Sequence, residues 1–135
     1  VKVVFVDTGY WEAMLNPKDR LHPKAKEVSA ALGKVRLVTT EMVLDELLAA
    51  LSKVPVRPIA IIGVQAIRSN PNVEVIPQTS LQFAAGFDLY RTMTDKEWSL
   101  TDCVSFSVMR ERGLIEALAY DQHFVQAGFV ALLRS

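Results

Sequence analysis

The sequence is poor in cysteine and histidine and carries no excess of either charge. Cys103 is the only cysteine in 135 residues. That excludes an internal disulfide framework and suits a reducing compartment; its place in an apolar stretch makes it a packing residue. The two histidines, His22 and His123, lie far apart in the chain; they form no zinc motif and read as surface residues. No apolar run approaches the length of a membrane span. The valine-rich "VKVVFVD" at the start is too short for a secretory leader and reads as a core strand. A cytoplasmic protein with no membrane partner is expected. Fifteen Lys and Arg balance fifteen Asp and Glu, which excludes a uniformly basic nucleic-acid binder. Nucleic acid itself is not excluded, because a bound cation can supply positive charge where it matters.

Half of the residues are hydrophobic, enough for one compact domain over residues 1–135 with a real core. There is no internal repeat or low-complexity tract. The β-branched run "KVVFV" is stopped by "DTG", a buried strand entering a turn. "HPKAKEVSAALGK" has Pro near its start and Gly near its end, the asymmetry of a helix. "VRLVT" predicts a second strand, and "TEMVLDELLAALSK" a helix that follows it. Pro55 and Pro58 break the chain before a helix through "IAIIGVQAIRSN". "VEVIP" is a third strand, ended by proline; "SLQFAAGFDLYRTM" is a helix and "TDKEW" a loop. A further helix starts in "SLTDCVSFSVM" and stops near Gly113. "IEALAY" is a fourth strand, "DQHFVQAG" a short helical turn and "FVALL" a last strand. Strands alternating with helices predict an α/β fold with a mainly parallel sheet and helices on both faces. Ligands in such folds gather beyond the carboxyl ends of the strands.

Two aspartates stand at such ends: Asp7 after "VVFV" and Asp121 after "EALAY". Each alone reads equally as an N-cap or turn residue; in one parallel sheet they share an edge. Ser99 and Asp102 have the spacing of a capping box, which needs no function, yet that helix start belongs at the same edge. Glu46 has Met42, Val43, Ala49 and Ala50 one helical turn away, an apolar setting that is costly for a carboxylate unless it is paired or bound to a cation. It is preferred over Glu41 and Asp45, the latter sharing a solvated face with Glu41 and Ser52. An ion pair with a distant arginine is the alternative. Gathering these acids is expensive: two carboxylates about 4 Å apart repel by roughly 4 kcal/mol at an effective dielectric near 20. Raised pKa values or a cation must offset that cost. Oxygen ligands without His or Cys suit Mg²⁺ or Mn²⁺.

The stretches "VVFVDTGYW", "TTEMVLDEL", "WSLTDCVSFSVM" and "ALAYDQHFVQAGF" resemble, in order, the acidic motifs of PIN-domain ribonucleases, a group that includes VapC-type toxins of toxin–antitoxin systems. The resemblance spans essentially the whole chain. It implies a Rossmann-like three-layer α/β/α sandwich and an endoribonuclease dependent on Mg²⁺ or Mn²⁺, with Asp7, Glu46, Asp102 and Asp121 as the catalytic, metal-holding quartet. Thr8 would orient Asp7 or a water. Tyr120 departs from the small Thr or Ser many relatives carry before the last aspartate. The resemblance also implies an RNA substrate, a small antitoxin partner and a homodimer, for which the apolar "IAIIGVQAI" is the candidate surface, burial within the monomer being the alternative. Recessed acids at a sheet edge favour single-stranded or looped RNA, which can bend into the site. Lys18, Arg20, Lys24 and Lys26 are candidates for substrate phosphates, or a plain solvated face.

Two other phosphoryl chemistries are set aside by single positions. A haloacid dehalogenase pattern needs a second aspartate where Gly9 stands, and a receiver domain needs an acidic pair at the first strand end. A catalytically silent PIN-like module binding RNA or protein is the remaining alternative. Loss of one of the four acids would mark it, and all four are present.

Overall fold

Short β-branched and apolar runs build one sheet at the centre of the molecule. A computed structural model describes all of residues 1–135. Its strands are β1 (Val3–Val6), β2 (Arg36–Thr40), β3 (Val73–Ile76), β4 (Glu116–Leu118) and β5 (Val130–Ala131). They lie in the order β3-β2-β1-β4-β5, and every neighbouring pair is parallel. Val4, Phe5 and Val6 of the central strand are wholly enclosed, as expected where helices cover both faces of a parallel sheet.

The helices are α1 (Thr8–Leu15), α2 (His22–Leu32), α3 (Glu41–Ala50), α4 (Arg57–Ser69), α5 (Ser80–Thr92), α6 (Leu100–Arg112) and α7 (Gln122–Gln126). Strand order runs outward from β1 to β3 and then restarts on the other side of β1 at β4. With right-handed crossovers, that reversal sends α5, α6 and α7 to the face opposite the earlier helices. α1 packs on α2, α3 and α4, α6 packs on α5 and α7, and α3 also meets α6 across the two groups. The result is the three-layer α/β/α sandwich. Its reversal point lies between β1 and β4, so the carboxyl ends of these two strands frame the crevice in which such folds bind ligands.

An aromatic cluster ties the second layer to the sheet. The Phe106 ring meets Trp98 and Phe124 edge-on, each with centroids 5.0 Å apart, and Phe129 at 5.6 Å. Gly86 allows α5 to close on α6, since a Cβ there would lie 2.4 Å from a methyl of Val104. Cys103 is buried in the same layer, and burial pushes its thiol up to about 11; it is a packing group.

Three local expectations change. The segment after Asp7 is not merely a turn: α1 begins at once, with Tyr10, Trp11 and Ala13 buried. Its eight residues are too few to be stable alone and are held by packing, which leaves little periodic signal. Pro58 does not precede its helix but sits in the first turn of α4, where a missing N–H costs nothing. The last strand is only Val130–Ala131, followed by a 3₁₀ turn at Leu132–Arg134. Leu133 is buried and its N–H donates to Ala119 O at 3.1 Å, which draws the chain out of the sheet plane.

Candidate active site

At the reversal point, a cleft of about 700 Å³ is lined by six carboxylate residues: Asp7, Glu12, Glu46, Glu97, Asp102 and Asp121. The only basic residues in its wall are His123 and Arg134. All four acids singled out in the sequence therefore open onto one space, with Thr8 among them.

Asp7 leaves β1 and occupies the N-cap position of α1, yet its carboxylate makes no capping hydrogen bond. The Asp7 N–H donates to Leu118 O at 3.1 Å, tying it to β4. The residue is only 7% exposed, and its Oδ1 is enclosed without a hydrogen-bond partner. Burial pushes the Asp7 carboxyl up to about 8, opposed by a backbone hydrogen bond at Thr8 and reinforced by the charges of Asp102, Glu46 and Asp121. A buried, orphaned carboxylate oxygen is costly unless a proton or a cation meets it.

Glu46 projects from α3, whose first turn is capped by Thr40 accepting from the Val43 N–H at 3.1 Å. Its partner is not an arginine: the Thr8 hydroxyl donates to Glu46 Oε1. The Thr8 hydroxyl thus holds Glu46 rather than Asp7. Its surroundings are also less apolar than the sequence suggests, because Ala49 and Ala50 are exposed and Glu46 is half-buried. Burial still raises its pKa, with the Thr8 bond opposing and Asp102 and Asp121 adding to the rise. Glu41 instead accepts from the Gln78 N–H at 2.7 Å, and Asp45 is exposed; neither lines the cleft.

Asp102 has two tasks. The capping box is present: Ser99 Oγ accepts from the Asp102 N–H at 3.0 Å, and Asp102 Oδ2 accepts from the Ser99 N–H at 3.1 Å. The same Oδ2 lies 2.9 Å from His123 Nδ1. Asp121 likewise caps α7, accepting from the His123 N–H at 2.9 Å, while His123 Nδ1 is 3.3 Å from its Oδ1. Donor atoms of Asp102, Asp121 and His123 all fall within 4.8 Å of one another, close enough to share one ion. Asp7 and Glu46 line the same cleft outside that tight group and feel the charge of Asp102 and Asp121.

Histidine is where the sequence reading fails most plainly. His123 is not a surface residue: its side chain is 21% exposed and bridges two of the acids. Its distance of two positions from Asp121 was the available signal. His22 is partly buried as well, with Nδ1 2.7 Å from Ala13 O. Glu12, Glu97 and Arg134 also went unnoticed, since no spacing relates them to the quartet. Burial, with the charges of Asp19 and Glu46, raises the Glu12 pKa. Of the basic cluster, Arg20 reaches the rim, its guanidinium lying over the Tyr120 ring; Lys24 is bound to Ser135 O, and Lys18 and Lys26 are exposed.

The family model described as PIN domain matches residues 4–130. The 23S rRNA-specific endonuclease VapC20 of Mycobacterium tuberculosis is 33% identical over 128 residues, 95% of this chain and 96% of that protein. The crystal structure of VapC20, described there as a sarcin-ricin loop cleaving toxin, matches with a TM-score of 0.86 at 31% identity, covering 94% of this chain and 96% of that one. FitAcB from Neisseria gonorrhoeae has the same fold, with a TM-score of 0.63 at 17% identity over 95% of this chain and 94% of that one. The parallel sheet, the acids at its reversal point and a family match over almost every residue agree: the chain belongs to the PIN-domain family of ribonucleases.

Proposed function

We propose that this chain is a divalent-cation-dependent endoribonuclease, acting as a single unit over residues 1–135, with Asp7, Glu46, Asp102 and Asp121 as its catalytic, metal-holding residues. The observation that carries the reading is the unpartnered, enclosed Oδ1 of Asp7 in a cleft lined by six carboxylates. No lysine or arginine pairs with any of the quartet, so the charge calls for a cation. An oxygen-rich donor set with one imidazole at its edge fits the hard ions Mg²⁺ or Mn²⁺.

When bound, such an ion polarises a phosphodiester and lowers the pKa of water beside it. The chain's own residues do the placing. Asp7 offers an oxygen with no competing bond, and Thr8 fixes the Glu46 carboxylate opposite it. The capping box and His123 hold Asp102 in one rotamer, with its second oxygen free of protein hydrogen bonds. Asp121, with its side chain 46% exposed, stands at the mouth, where substrate enters. No side-chain nucleophile is needed, which fits a wall without serine–histidine or cysteine–histidine pairs in contact.

VapC20 is named for cleavage of 23S rRNA and of its sarcin-ricin loop, and we extend to this chain the class of substrate: RNA in single-stranded or looped form. Acids recessed at the foot of a cleft favour a strand that can bend into it, whereas a duplex would have to open first. The same likeness supports a cytoplasmic toxin held in check by a small antitoxin protein. No helix is long and apolar enough to cross a membrane. A second copy of the chain is the proposed cover for Ile61 and Ile62, 49% and 67% exposed on α4.

A labelled hairpin RNA incubated with Mn²⁺ tests the activity. Cuts confined to the loop with wild-type protein, and absent with Glu46→Gln, are expected; cuts in the stem, or equal cutting by both proteins, would overturn it.

A further inference from the structure

Arg134 is the only lysine or arginine in the wall of the acidic cleft. Its guanidinium lies over the Tyr120 ring, 4.9 Å from the centroid, and its Nη1 donates to Tyr120 O at 2.7 Å. Arg20, from the loop between α1 and α2, lies over the same ring at 5.3 Å. Neither guanidinium comes within ion-pair distance of a carboxylate, and both residues are exposed. Tyr120, the large residue immediately before Asp121, therefore carries two positive charges outside any ion pair at the lip of a negative cleft.

A role in stability alone accounts poorly for this arrangement. Cation–π contact at exposed sites contributes little, about 0.5–1 kcal/mol, and one arginine would fasten the C-terminal turn as well as two. The substrate's problem is larger. An RNA strand approaching six carboxylates is repelled, and a chain with equal numbers of acids and bases offers no general attraction. Phosphates flanking the cut need local cations. Guanidinium suits them, because its planar fork meets two phosphate oxygens at once. Guanidinium groups already ordered on a ring also lose less freedom on binding.

We propose that Arg20 and Arg134, held on the Tyr120 ring, form a phosphate-binding subsite that grips the RNA backbone beside the scissile phosphate. It rests on the ribonuclease reading and adds to it the part of the surface that positions the strand. Tyr120 is the positioning residue, and the two arginines are the contacts.

The test is binding of a fluorescently labelled single-stranded hairpin-loop RNA in EDTA, measured by anisotropy across a salt series. Each single-strand phosphate contact contributes a slope of about 0.7 in log affinity against log salt. Arg20→Gln alone is expected to lower the slope by about 0.7, and Arg20→Gln with Arg134→Gln by about 1.4. KM for cleavage in Mn²⁺ is expected to rise with kcat nearly unchanged, and the Arg→Lys pair to restore the slope. Arg20 is exposed and meets the fold through the Tyr120 ring, so its variant stays informative if the double variant unfolds. Unchanged slopes overturn the subsite. So does loss of binding to an oligoglutamate peptide with RNA binding intact, which would assign the pair to an acidic protein partner. If wild type binds with the expected slopes but cuts nothing, the nuclease reading falls and the subsite stands. If wild type cuts and the slopes do not move, the subsite alone falls.

Discussion

His123 Nδ1 stands 2.9 Å from Asp102 Oδ2, with Asp121 Oδ1 3.3 Å away on the same nitrogen. Phe106, one turn beyond Asp102, meets Phe124 edge-on, next to His123. The aromatic contact in the core thus sets the polar contact in the cleft. His123→Ala is expected to weaken Mn²⁺ binding by about 10- to 100-fold, as loss of a partner that orients a ligand does. His123→Asn, which keeps an N–H donor near Nδ1, is expected to recover most of it. Calorimetric titration checks both; equal affinity across the three proteins would show the contact to be incidental.

Asp102→Asn separates capping from charge. The amide oxygen still accepts from the Ser99 N–H, so stability in urea is expected to change by less than about 1 kcal/mol. RNA cleavage is expected to fall by orders of magnitude. Full activity in this variant would reduce Asp102 to a helix cap.

The Asp7 carboxyl takes up its proton near 8 in the folded chain, against an ordinary 3.8. Between those values the folded state binds more protons than the unfolded one, so cation-free stability is expected to fall as pH rises from about 4 to about 8. Thermal denaturation in EDTA at pH 5 and pH 8 measures this. Asp7→Asn is expected to flatten the dependence and to melt higher than wild type at pH 8. Mg²⁺ is expected to raise the melting temperature of wild type at pH 8 and to leave the variant unmoved. A wild type that grows more stable towards pH 8 in EDTA contradicts the burial argument.

Thr8→Val deletes the hydroxyl that holds Glu46 while keeping the shape of the side chain. A hydrogen bond to a charged group contributes about 1.5–3 kcal/mol, so cation affinity is expected to drop about 10- to 100-fold, with Thr8→Ser near wild type. Calorimetry again decides; a normal Thr8→Val affinity would make the bond an accident of packing.

Sedimentation at micromolar concentration is expected to show a dimer, and Ile62→Glu a monomer. A wild type that sediments only as one chain counts against α4 as a contact between copies.

Much of this protein is decided locally. Runs such as "VVFV" and "VEVI" are β-branched and stop at turn residues, and the Pro-to-Gly span of α2 marks both its ends; these signals act over a few residues and survive in the chain order. The placement of Asp7 and Asp121 at strand ends follows from the same local grammar. So does the capping box, whose Ser99 and Asp102 are three residues apart. The sequence also shows four acids in a family order, and hence the class of site.

What only the tertiary structure decided depends on distance through space. Asp7 stands at the N-cap of α1 yet makes no capping bond, because its carboxylate is enclosed among the other acids of the cleft. Glu46 found Thr8 rather than an arginine because α3 packs on α1. His123 joined the acids because Phe124 is drawn into the core against Phe106, and Arg134 reached Tyr120 because Leu133 pulls the C-terminal turn under β4. In each case the partners are many residues apart, and a contact of that kind leaves no periodicity, spacing or composition to read. The chain order states which groups are available; the packing of two helical layers on one sheet determines which of them meet.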